Sequence, residues 1–284
     1  MQEREDRTAD VTDEQREKYD RLCGCLRGYG SVAVAYSGGV DSTFLLKAAH
    51  DVLGENAVSV TVRSNLIPER ELAEAKEFCR KEGICHVIHA VDELAIAGFA
   101  ENPPDRCYLC KKSIFQGIAA IAAECGMRVV AEGSNLDDVS DYRPGMRAIA
   151  ELSVSSPLRE AGMTKADIRA LSRMLKLPTW EKPSFACLAS RFVYGERITE
   201  EKLHMVERAE ELLLSLGFRQ MRVRVHGTMA RLELLPEDIP RLMEAGLRTR
   251  VAGELKQYGF SYVALDLAGY RMGSMNDGIT GREG

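Results

Sequence analysis

A glycine-rich turn behind an apolar strand restricts the fold of this chain more than any other feature. The apolar run Val32–Tyr36 is followed by Ser37, Gly38, Gly39, Val40, Asp41 and Ser42, and then by a helical pattern. The two glycines lack the Cβ atoms that would keep an anion away from the backbone, and the N–H groups of a first helical turn point toward such an anion. The run has no Gly-Lys-Ser/Thr ending, so it is not a Walker A loop. We predict a phosphate-binding loop, with an ordinary tight turn as the alternative.

The order of the predicted elements indicates an α/β fold. Apolar strands alternate with helical patterns, which predicts a parallel sheet with helices on both faces. Ligands of such sheets bind beyond the carboxyl ends of the strands, which is where residues 37–42 fall. The predicted strands are Val32–Tyr36, Ala57–Val62, His86–Ala90 and Val129–Glu132, and the helices between them are Thr43–Leu53, Pro68–Lys81 and Tyr108–Glu124.

A change of pattern near residue 196 predicts a second, smaller α/β domain. A long amphipathic helix opens this part of the chain, and a hairpin with a turn at Gly227 follows it. The predicted elements after that helix are the strands Met221–His226 and Ala230–Leu235, the helix Pro236–Ala245 and the strand Tyr262–Leu267. We therefore predict one domain over residues 1–195 and another over residues 196–284.

The charge balance argues against a nucleic-acid partner. The 284 residues include 38 Lys or Arg and 43 Asp or Glu, a net charge of −5, so no overall field attracts phosphate backbones. The first twenty residues are densely charged and no stretch is apolar enough to span a bilayer, so we expect no signal peptide, no membrane span and a cytoplasmic location. Thiols stay reduced in the cytosol, and the eight cysteines therefore do not imply disulfides.

Three cysteines stand out as candidates for metal or sulfur chemistry. Cys107 and Cys110 form a CxxC pair at a predicted helix start, and Cys187 lies in a loop of small and polar residues. A helix N-terminus favours the thiolate form. A structural zinc usually takes four ligands, whereas three thiolates suit an iron–sulfur cluster with one open iron; zinc or a redox pair remain alternatives for the CxxC. Packing is the predicted role of the other thiols, at Cys79, Cys85 and Cys125 and, less distinctly, at Cys23 and Cys25.

The motifs together resemble one family. The phosphate loop resembles the PP-loop of the ATP pyrophosphatases, which split ATP between its α and β phosphates, and the later motifs resemble the LarE sulfur transferases of nickel-pincer nucleotide biosynthesis. The resemblance covers nearly the whole chain after about residue 20. It rests on residues 37–42, Asn102–Lys111, Glu132–Asp138, Asp141–Gly145, Cys187–Arg191, Tyr194 with Gly195, Arg222–Gly227 and Leu265–Arg271.

This resemblance implies a substrate and a source of sulfur. The substrate would be pyridinium-3,5-biscarboxylic acid mononucleotide, whose carboxylates ATP adenylates before sulfur displaces AMP and leaves thiocarboxylates. One branch of the family gives up the sulfur of a cysteine matching Cys187, which becomes dehydroalanine. Another also carries a CxxC and holds a 4Fe-4S cluster on three cysteines. With Cys107, Cys110 and Cys187, this chain resembles the second branch, in which an open iron would carry hydrosulfide.

Roles for the remaining site residues follow from the resemblance and from side-chain chemistry. Magnesium would bridge the ATP phosphates, and the phosphate and carboxylates of the substrate suit guanidinium groups. Arg222 and Arg224 lie on one strand face, and a solvated face is the alternative. The acidic loop Glu132–Asp141 would bind magnesium or ribose, or cap helices. The proposed ATP ligands are Ser37, Gly38, Gly39, Asp41 and Ser42, and the proposed substrate ligands are Arg191, Arg222 and Arg224.

Other functions are compatible with parts of the sequence. A tRNA thiolase shares the PP-loop and three cysteines, but it needs a broad cationic surface. An amidotransferase of the NAD or GMP synthetase type would use the loop with ammonia and would not require the cysteines. A non-enzymatic ATP sensor or sulfur-carrying scaffold would bind ATP without releasing pyrophosphate. As partners we expect other copies of the chain in a homo-oligomer, a sulfur donor and a separate nickel-inserting enzyme.

Overall fold

The chain forms two units in the computed structural model, which describes residues 11–140, 144–183 and 186–271. The first unit comprises Met1–Arg63, Glu69–Val91 and Cys110–Ser184, and the second comprises Ser64–Pro68, Asp92–Leu109 and Phe185–Gly284. The predicted domain bounds, 1–195 and 196–284, differ from this division. Residues 64–68 and 92–109 carry no sequence signal that groups them with the C-terminal part of the chain.

The helices and strands largely follow the predicted alternation. The helices are α1 (Asp13–Tyr29), α2 (Val40–Leu53), α3 (Glu69–Glu82), α4 (Arg106–Glu124), α5 (Gly145–Glu151), α6 (Pro157–Glu160), α7 (Lys165–Met174), α8 (Glu200–Ser215), α9 (Ile239–Leu242) and α10 (Ala245–Gln257). The strands are β1 (Val32–Ala35), β2 (Ala57–Arg63), β3 (Cys85–Ala90), β4 (Val129–Ala131), β5 (Met221–His226), β6 (Met229–Leu234) and β7 (Tyr262–Leu265). Within the described ranges, no helix combines the length and apolar character needed to cross a bilayer.

The first unit is built on a parallel sheet with the strand order β3-β2-β1-β4. Successive residues of β1 point to opposite faces. Val34 belongs to a core with Phe44 of α2, and Ala33 belongs to a second core with Phe115 of α4. The prediction of a parallel sheet with helices on both faces is therefore confirmed.

The position of β1 in this sheet places the glycine-rich turn. β1 is an inner strand, because it pairs with β2 on one side and β4 on the other. Its carboxyl end therefore lies between the ends of neighbouring strands, where ligands of parallel sheets bind. Helix α2 starts directly after Gly39 and ends at Leu53, and the next residue, Gly54, donates its N–H to the carbonyl of His50 and turns the chain away with a φ of +58°. Gly54 thus ends the helix, as glycines with a left-handed φ commonly do.

The second unit holds a smaller sheet in which β5 and β6 form an antiparallel hairpin and β7 runs parallel to β6. The hairpin turns at Gly227, whose φ is +62°. The predicted single helix Pro236–Ala245 is wrong, because a short 3₁₀ turn and α9 occupy this stretch and α10 follows as a separate helix. Glycines at 246 and 253 weaken the local helix signal of α10, whereas burial of Val251 and Leu255 stabilises it through tertiary packing.

Candidate active site

The glycine-rich turn has the shape of an anion cradle. Gly38 has a φ of +72°, a conformation that glycine adopts without steric strain. The Ser42 hydroxyl accepts from the Ser37 N–H at 3.3 Å and lies 3.0 Å from the Ser37 hydroxyl. No side chain in the described structure caps α2 at Gly39. The start of α2 is therefore left open to an anion, as expected of a phosphate site.

Asp41 lies in the first turn of α2 with one carboxylate oxygen engaged. Its Oδ2 accepts from Lys165 Nζ at 2.5 Å. Its Oδ1 is buried, and no described group donates to it with good hydrogen-bond geometry, although the nearby Asn135 side chain interacts with the carboxylate. Burial raises the pKa of Asp41, and the nearby Lys165 ammonium and the Asn135 side chain oppose this rise. A buried carboxylate oxygen without a well-aligned donor fits a magnesium ligand, because Mg²⁺ takes one or two carboxylates together with substrate phosphates.

Lys165 is a site residue that the sequence analysis missed. It is the first residue of α7, whose capping box at Thr164 places it at the helix start, and its backbone N–H donates to Asp137 Oδ2 at 2.8 Å. The cap was recognisable in the sequence. The pairing of Lys165 with Asp41 was not, because 124 residues separate the two.

Lys182 is a second site residue that the sequence did not reveal, and it stabilises the glycine-rich turn by binding one of its carbonyl groups. Its ammonium donates to the carbonyl of Gly38 at 3.1 Å, to Glu71 Oε2 at 2.6 Å and to Glu74 Oε2 at 2.7 Å. The Lys182 side chain is 14% exposed. One largely enclosed cation thus ties the glycine turn to α3 and favours the left-handed conformation of Gly38.

The acidic loop after β4 makes structural contacts. Glu132 is buried and accepts from the hydroxyls of Ser134 at 2.7 Å and Ser156 at 2.5 Å. Asp138 Oδ2 accepts from the N–H of Asn135 at 2.9 Å. Helix capping is the predicted role that has support, because Asp137 Oδ2 accepts from the N–H of Lys165 at the start of α7, and the magnesium and ribose roles stay predictions. The part of the predicted loop at residue 141 lies outside the described residues.

A close backbone approach at Gly133 supplies a testable feature of this site. A Cβ on Gly133 would lie 3.0 Å from the backbone N of Ser42 and 3.3 Å from the carbonyl carbon of Asp41. Neither atom can rotate away, so we expect Gly133→Ala to lower the free energy of unfolding by about 1–3 kcal/mol through overpacking. We also expect the KM for ATP to rise, since the loop must shift.

Chemical denaturation and ATP kinetics check this prediction, with Gly24→Ala as the control. Gly24 is exposed in the middle of α1, and nothing lies within 4 Å of its Cβ position. That substitution should stabilise the protein by about 0.5–1 kcal/mol and leave the KM unchanged. Equal effects of the two substitutions on the KM would contradict the proposed contact.

Cys187 lies exposed at the start of a 3₁₀ turn formed by Leu188–Arg191. The Ser190 hydroxyl donates to the carbonyl of Cys187 at 2.8 Å, and the N–H of Leu188 donates to the carbonyl of Leu66 at 3.0 Å. The backbone of this segment, which we call the Cys187 turn (residues 186–191), is therefore anchored while the thiol faces solvent. A solvent-facing thiol on an anchored backbone suits a sulfur-transfer role.

The CxxC pair lies in the first turns of α4, as predicted. Cys107 and Cys110 are both half-buried. Arg106, the first residue of the helix, is buried, donates to the side chain of Asn102 and stacks 4.9 Å over the ring of Tyr194. Asn102 in turn donates to the carbonyl of Val193 at 2.7 Å. These contacts of Arg106 and Asn102 fix the start of α4, which carries Cys107.

The donor chemistry of the three cysteines matches an iron–sulfur cluster, since all three are thiols without a disulfide. Cys107 and Cys187 belong to the second unit, and Cys110 belongs to the first. Over residues 11–140, 144–183 and 186–271, no three or more His, Cys, Asp or Glu side chains are grouped to hold one metal ion. The cluster on Cys107, Cys110 and Cys187 therefore stays a prediction.

The three predicted substrate-binding arginines are buried. Arg191 is 1%, Arg222 4% and Arg224 5% exposed, so the alternative of a solvated strand face is wrong for Arg222 and Arg224. Arg222 lies 5.1 Å from the Tyr270 ring, and burial, reinforced by the charge of Arg191, lowers the pKa of Arg222 to about 10. Arg224 donates to Glu233 at 2.9 Å and to the carbonyl of Ser190 at 2.6 Å. Their role in substrate binding stays a prediction.

The packing role predicted for the remaining thiols holds for Cys79 and Cys23, which are both buried, and fails for Cys85. Cys79 is fully buried in the core of the first unit, as predicted. Cys85 is exposed, so its predicted packing role is wrong. Cys85 is the first residue of β3, an outer strand of the sheet, and a period-2 pattern does not reveal which strand lies at an edge.

Comparison with known proteins identifies the family. No protein-family model matches the chain. It is 44% identical to an uncharacterized protein of Synechocystis sp., over 87% of this chain and 92% of that protein. It is 38% identical to the pyridinium-3,5-bisthiocarboxylic acid mononucleotide synthase of Lactiplantibacillus plantarum, over 91% of this chain and 94% of the synthase. A more distant relative, 24% identical over 65% of this chain and 63% of its own length, is a glutamine-hydrolyzing GMP synthase component of Thermoplasma volcanium.

The likeness to the synthase extends over most of the chain, and the likeness to the GMP synthase component covers about two thirds of it. The likeness to the synthase assigns the chain to a class of ATP-using enzymes. The parallel sheet, the uncapped glycine turn and the exposed Cys187 agree with this assignment. The chain belongs to the LarE family of ATP-dependent sulfur transferases, within the PP-loop superfamily.

Proposed function

We propose that this protein adenylates the carboxylates of pyridinium-3,5-biscarboxylic acid mononucleotide with ATP and converts them to thiocarboxylates. The observation that carries the proposal is the exposed Cys187 thiol on an anchored turn, in a chain 38% identical to a synthase named for its bisthiocarboxylic product. A carboxylate is a poor electrophile, and transfer of AMP to its oxygen creates a leaving group that a sulfur nucleophile can displace.

The phosphate loop would perform the activation step. A substrate carboxylate oxygen attacks the α-phosphorus of ATP, the bond between the α-phosphorus and the bridging oxygen breaks, and pyrophosphate leaves. The N–H groups of α2 and the hydroxyls of Ser37 and Ser42 would hold the phosphates. Asp41, through its buried Oδ1, would hold magnesium. Lys165, now paired with Asp41, would neutralise charge on the departing pyrophosphate.

The sulfur step would follow at the acyl carbon. A sulfur nucleophile attacks this carbon, the carbon–oxygen bond to AMP breaks, and AMP leaves with the bonding electrons. A second ATP and a second sulfur repeat the sequence at the other carboxylate. The buried Arg222 would offer positive charge to the anionic substrate, because guanidinium groups pair well with phosphate and carboxylate oxygens.

Two sources of sulfur fit the cysteines of the chain. A 4Fe-4S cluster held by Cys107, Cys110 and Cys187 would supply, when bound, an iron that lacks a protein thiolate and can carry sulfide. In the alternative, the Cys187 sulfur attacks the acyl carbon itself. Its Cβ–Sγ bond then breaks as the Cα proton is lost, which leaves dehydroalanine. We propose the cluster as the source of sulfur. As partners we propose other copies of the chain in a homo-oligomer, a sulfur donor that reloads the cluster, and a separate nickel-inserting enzyme.

The cluster proposal predicts a defined iron content. Protein purified without oxygen should contain about four iron and four acid-labile sulfide per chain, and Cys107→Ala should lose most of both. Colorimetric iron and sulfide assays measure this, with Cys85→Ala as the control because Cys85 is an exposed thiol outside the three. No iron in a chain that still adenylates the substrate would contradict the cluster and make Cys187 the sacrificial donor.

A further inference from the structure

We infer that Arg191 and Glu210 are positioning residues that hold the Cys187 turn, instead of ligands of the substrate. This inference rests on the proposed role of Cys187 in sulfur delivery. Arg191 Nε donates to Glu210 Oε1 at 2.9 Å, and Arg191 Nη2 donates to Glu210 Oε2 at 2.8 Å. The pair is buried, with side-chain exposures of 1% and 3%. An anionic substrate would have to displace a buried carboxylate that already makes the two-point contact guanidinium groups favour.

The other end of the Arg191 guanidinium points at the turn. Its Nη1 donates to the carbonyl of Ala186 at 2.7 Å, to the carbonyl of Cys187 at 3.2 Å and to the Ser190 hydroxyl at 2.8 Å. Arg191 therefore links the backbone on both sides of the Cys187 Cα to the interior of the second unit. With its carbonyl fixed, Cys187 keeps an extended backbone (φ −57°, ψ 155°) and presents its side chain outward.

Glu210 connects this contact to the sheet. It lies on α8 and its Oε1 also accepts from the N–H of Val223 on β5, at 3.0 Å. Burial by itself would raise the pKa of Glu210, but the Arg191 guanidinium outweighs it and holds that pKa below its usual range. The carboxylate therefore stays ionised at neutral pH, and α8, β5 and the Cys187 turn share one charged junction.

A second guanidinium holds the far end of the turn. Arg224 Nη1 donates to the carbonyl of Ser190 at 2.6 Å, while its Nη2 donates to Glu233 at 2.9 Å. The Ser190 hydroxyl closes the network by donating to the carbonyl of Cys187. The turn thus rests on two buried ion pairs. Such preorganisation fixes a nucleophile or ligand to within a fraction of an ångström, and its loss lowers a reaction rate without removing any reacting group.

The test uses Arg191→Lys and Glu210→Gln, with Glu196→Gln as the matched control. Glu196 is also partly buried in the second unit, and it accepts from Lys202 at 2.6 Å and from the N–H of Gly227 at 3.1 Å, away from the Cys187 turn. Amide hydrogen exchange of Leu188 and Ser190 is measured in substrate-free protein. We expect these amides to exchange at least about tenfold faster in both test variants and to be unchanged in the control.

Steady-state kinetics separates positioning from substrate binding. We expect the kcat for thiocarboxylate formation to fall at least about tenfold, with the KM for the substrate nearly unchanged, as for an interaction that acts in the transition state only. ATP–pyrophosphate exchange should stay near wild type. Unchanged amide exchange, or a raised KM with an unchanged kcat, would overturn the inference and return Arg191 to the substrate-binding set.

Two features keep the test decisive. If the charged-pair variants do not fold, Ser190→Ala removes one contact of the turn and should speed the exchange of the same amides by a smaller factor. Amide exchange needs neither substrate nor cluster, so it tests the contacts of the turn independently. A failure of the proposed function would show instead as a wild-type chain that forms no thiocarboxylate, while the amides of the turn still respond to the variants.

Discussion

A chain carrying Cys187→Ala is expected to form no thiocarboxylate while it continues to exchange pyrophosphate with ATP in the presence of substrate. Cys187 is needed whether it ligates the cluster or donates its own sulfur, so both sulfur sources predict a fall of at least about 1,000-fold. The adenylation step depends on the phosphate loop. The hydrogen bonds of its residues Ser37, Asp41 and Ser42 do not involve Cys187. The fold should be unaffected, since the thiol is exposed.

Two assays on one preparation check this expectation. Radiolabelled ATP–pyrophosphate exchange reports activation, and mass spectrometry of the nucleotide reports thiocarboxylate. Cys85→Ala, which removes another exposed thiol, should retain both activities. Thiocarboxylate formation by Cys187→Ala would reject the role of this residue, and loss of both activities would mean that Cys187 also serves the adenylation step.

Asp41→Asn is expected to abolish ATP activation without destabilising the fold. The substitution keeps the shape of the side chain and removes the charge that would hold magnesium, so substrate-dependent pyrophosphate release should fall at least about 100-fold. Burial raises the pKa of Asp41, which means that the folded protein binds this proton more tightly than the unfolded chain does. The ionised carboxylate therefore lowers stability at neutral pH, and the neutral amide should not.

The pH dependence of stability has a definite sign. The contribution of Asp41 is favourable below the ordinary aspartate pKa and is lost as the pH rises through the raised pKa of the folded state. We expect the Tm of Asp41→Asn to equal or exceed that of the wild type at about pH 7, and the difference to shrink as the pH falls toward about 4. Differential scanning fluorimetry across this pH range measures it.

Asp51→Asn is the control for this prediction. Asp51 lies at the other end of α2 and pairs with Lys47 at 2.7 Å, with its side chain 36% exposed. Surface ion pairs of this kind contribute about 0–1 kcal/mol, so the control should keep its activity and lose little stability. A markedly lower Tm for Asp41→Asn at neutral pH would show that the contact with Lys165 outweighs the effect of burial.

Local sequence signals were sufficient for the phosphate loop and for most of the elements around it. The glycine pair, the apolar run of β1 and the helical spacing of α2 act over a few residues, so the sequence reveals them directly. Gly54 ends α2 for the same reason, because its left-handed φ is a local requirement. Helix α10 was missed because its glycines weaken the local signal and its stability comes from packing.

Partners of charged groups required the tertiary structure. The sequence places Arg222 and Arg224 on one strand face but does not show that this face is buried. Lys165 and Lys182 have no distinguishing sequence context, and only the fold brings them to Asp41 and to the carbonyl of Gly38. Opposite charges attract over short distances, and which charges come close depends on how distant segments pack.

Residue chemistry and local backbone geometry were therefore enough to assign the class of the protein: an α/β chain with a PP-loop, a CxxC pair and an isolated loop cysteine. The roles of the buried ions emerged only from the folded chain. Arg191, which as a guanidinium suits an anionic substrate, is fully enclosed by Glu210 and the carbonyls of the Cys187 turn. A charge that is removed from water needs hydrogen-bond and ion-pair partners inside the protein. Which groups become those partners depends on how distant segments of the chain pack together.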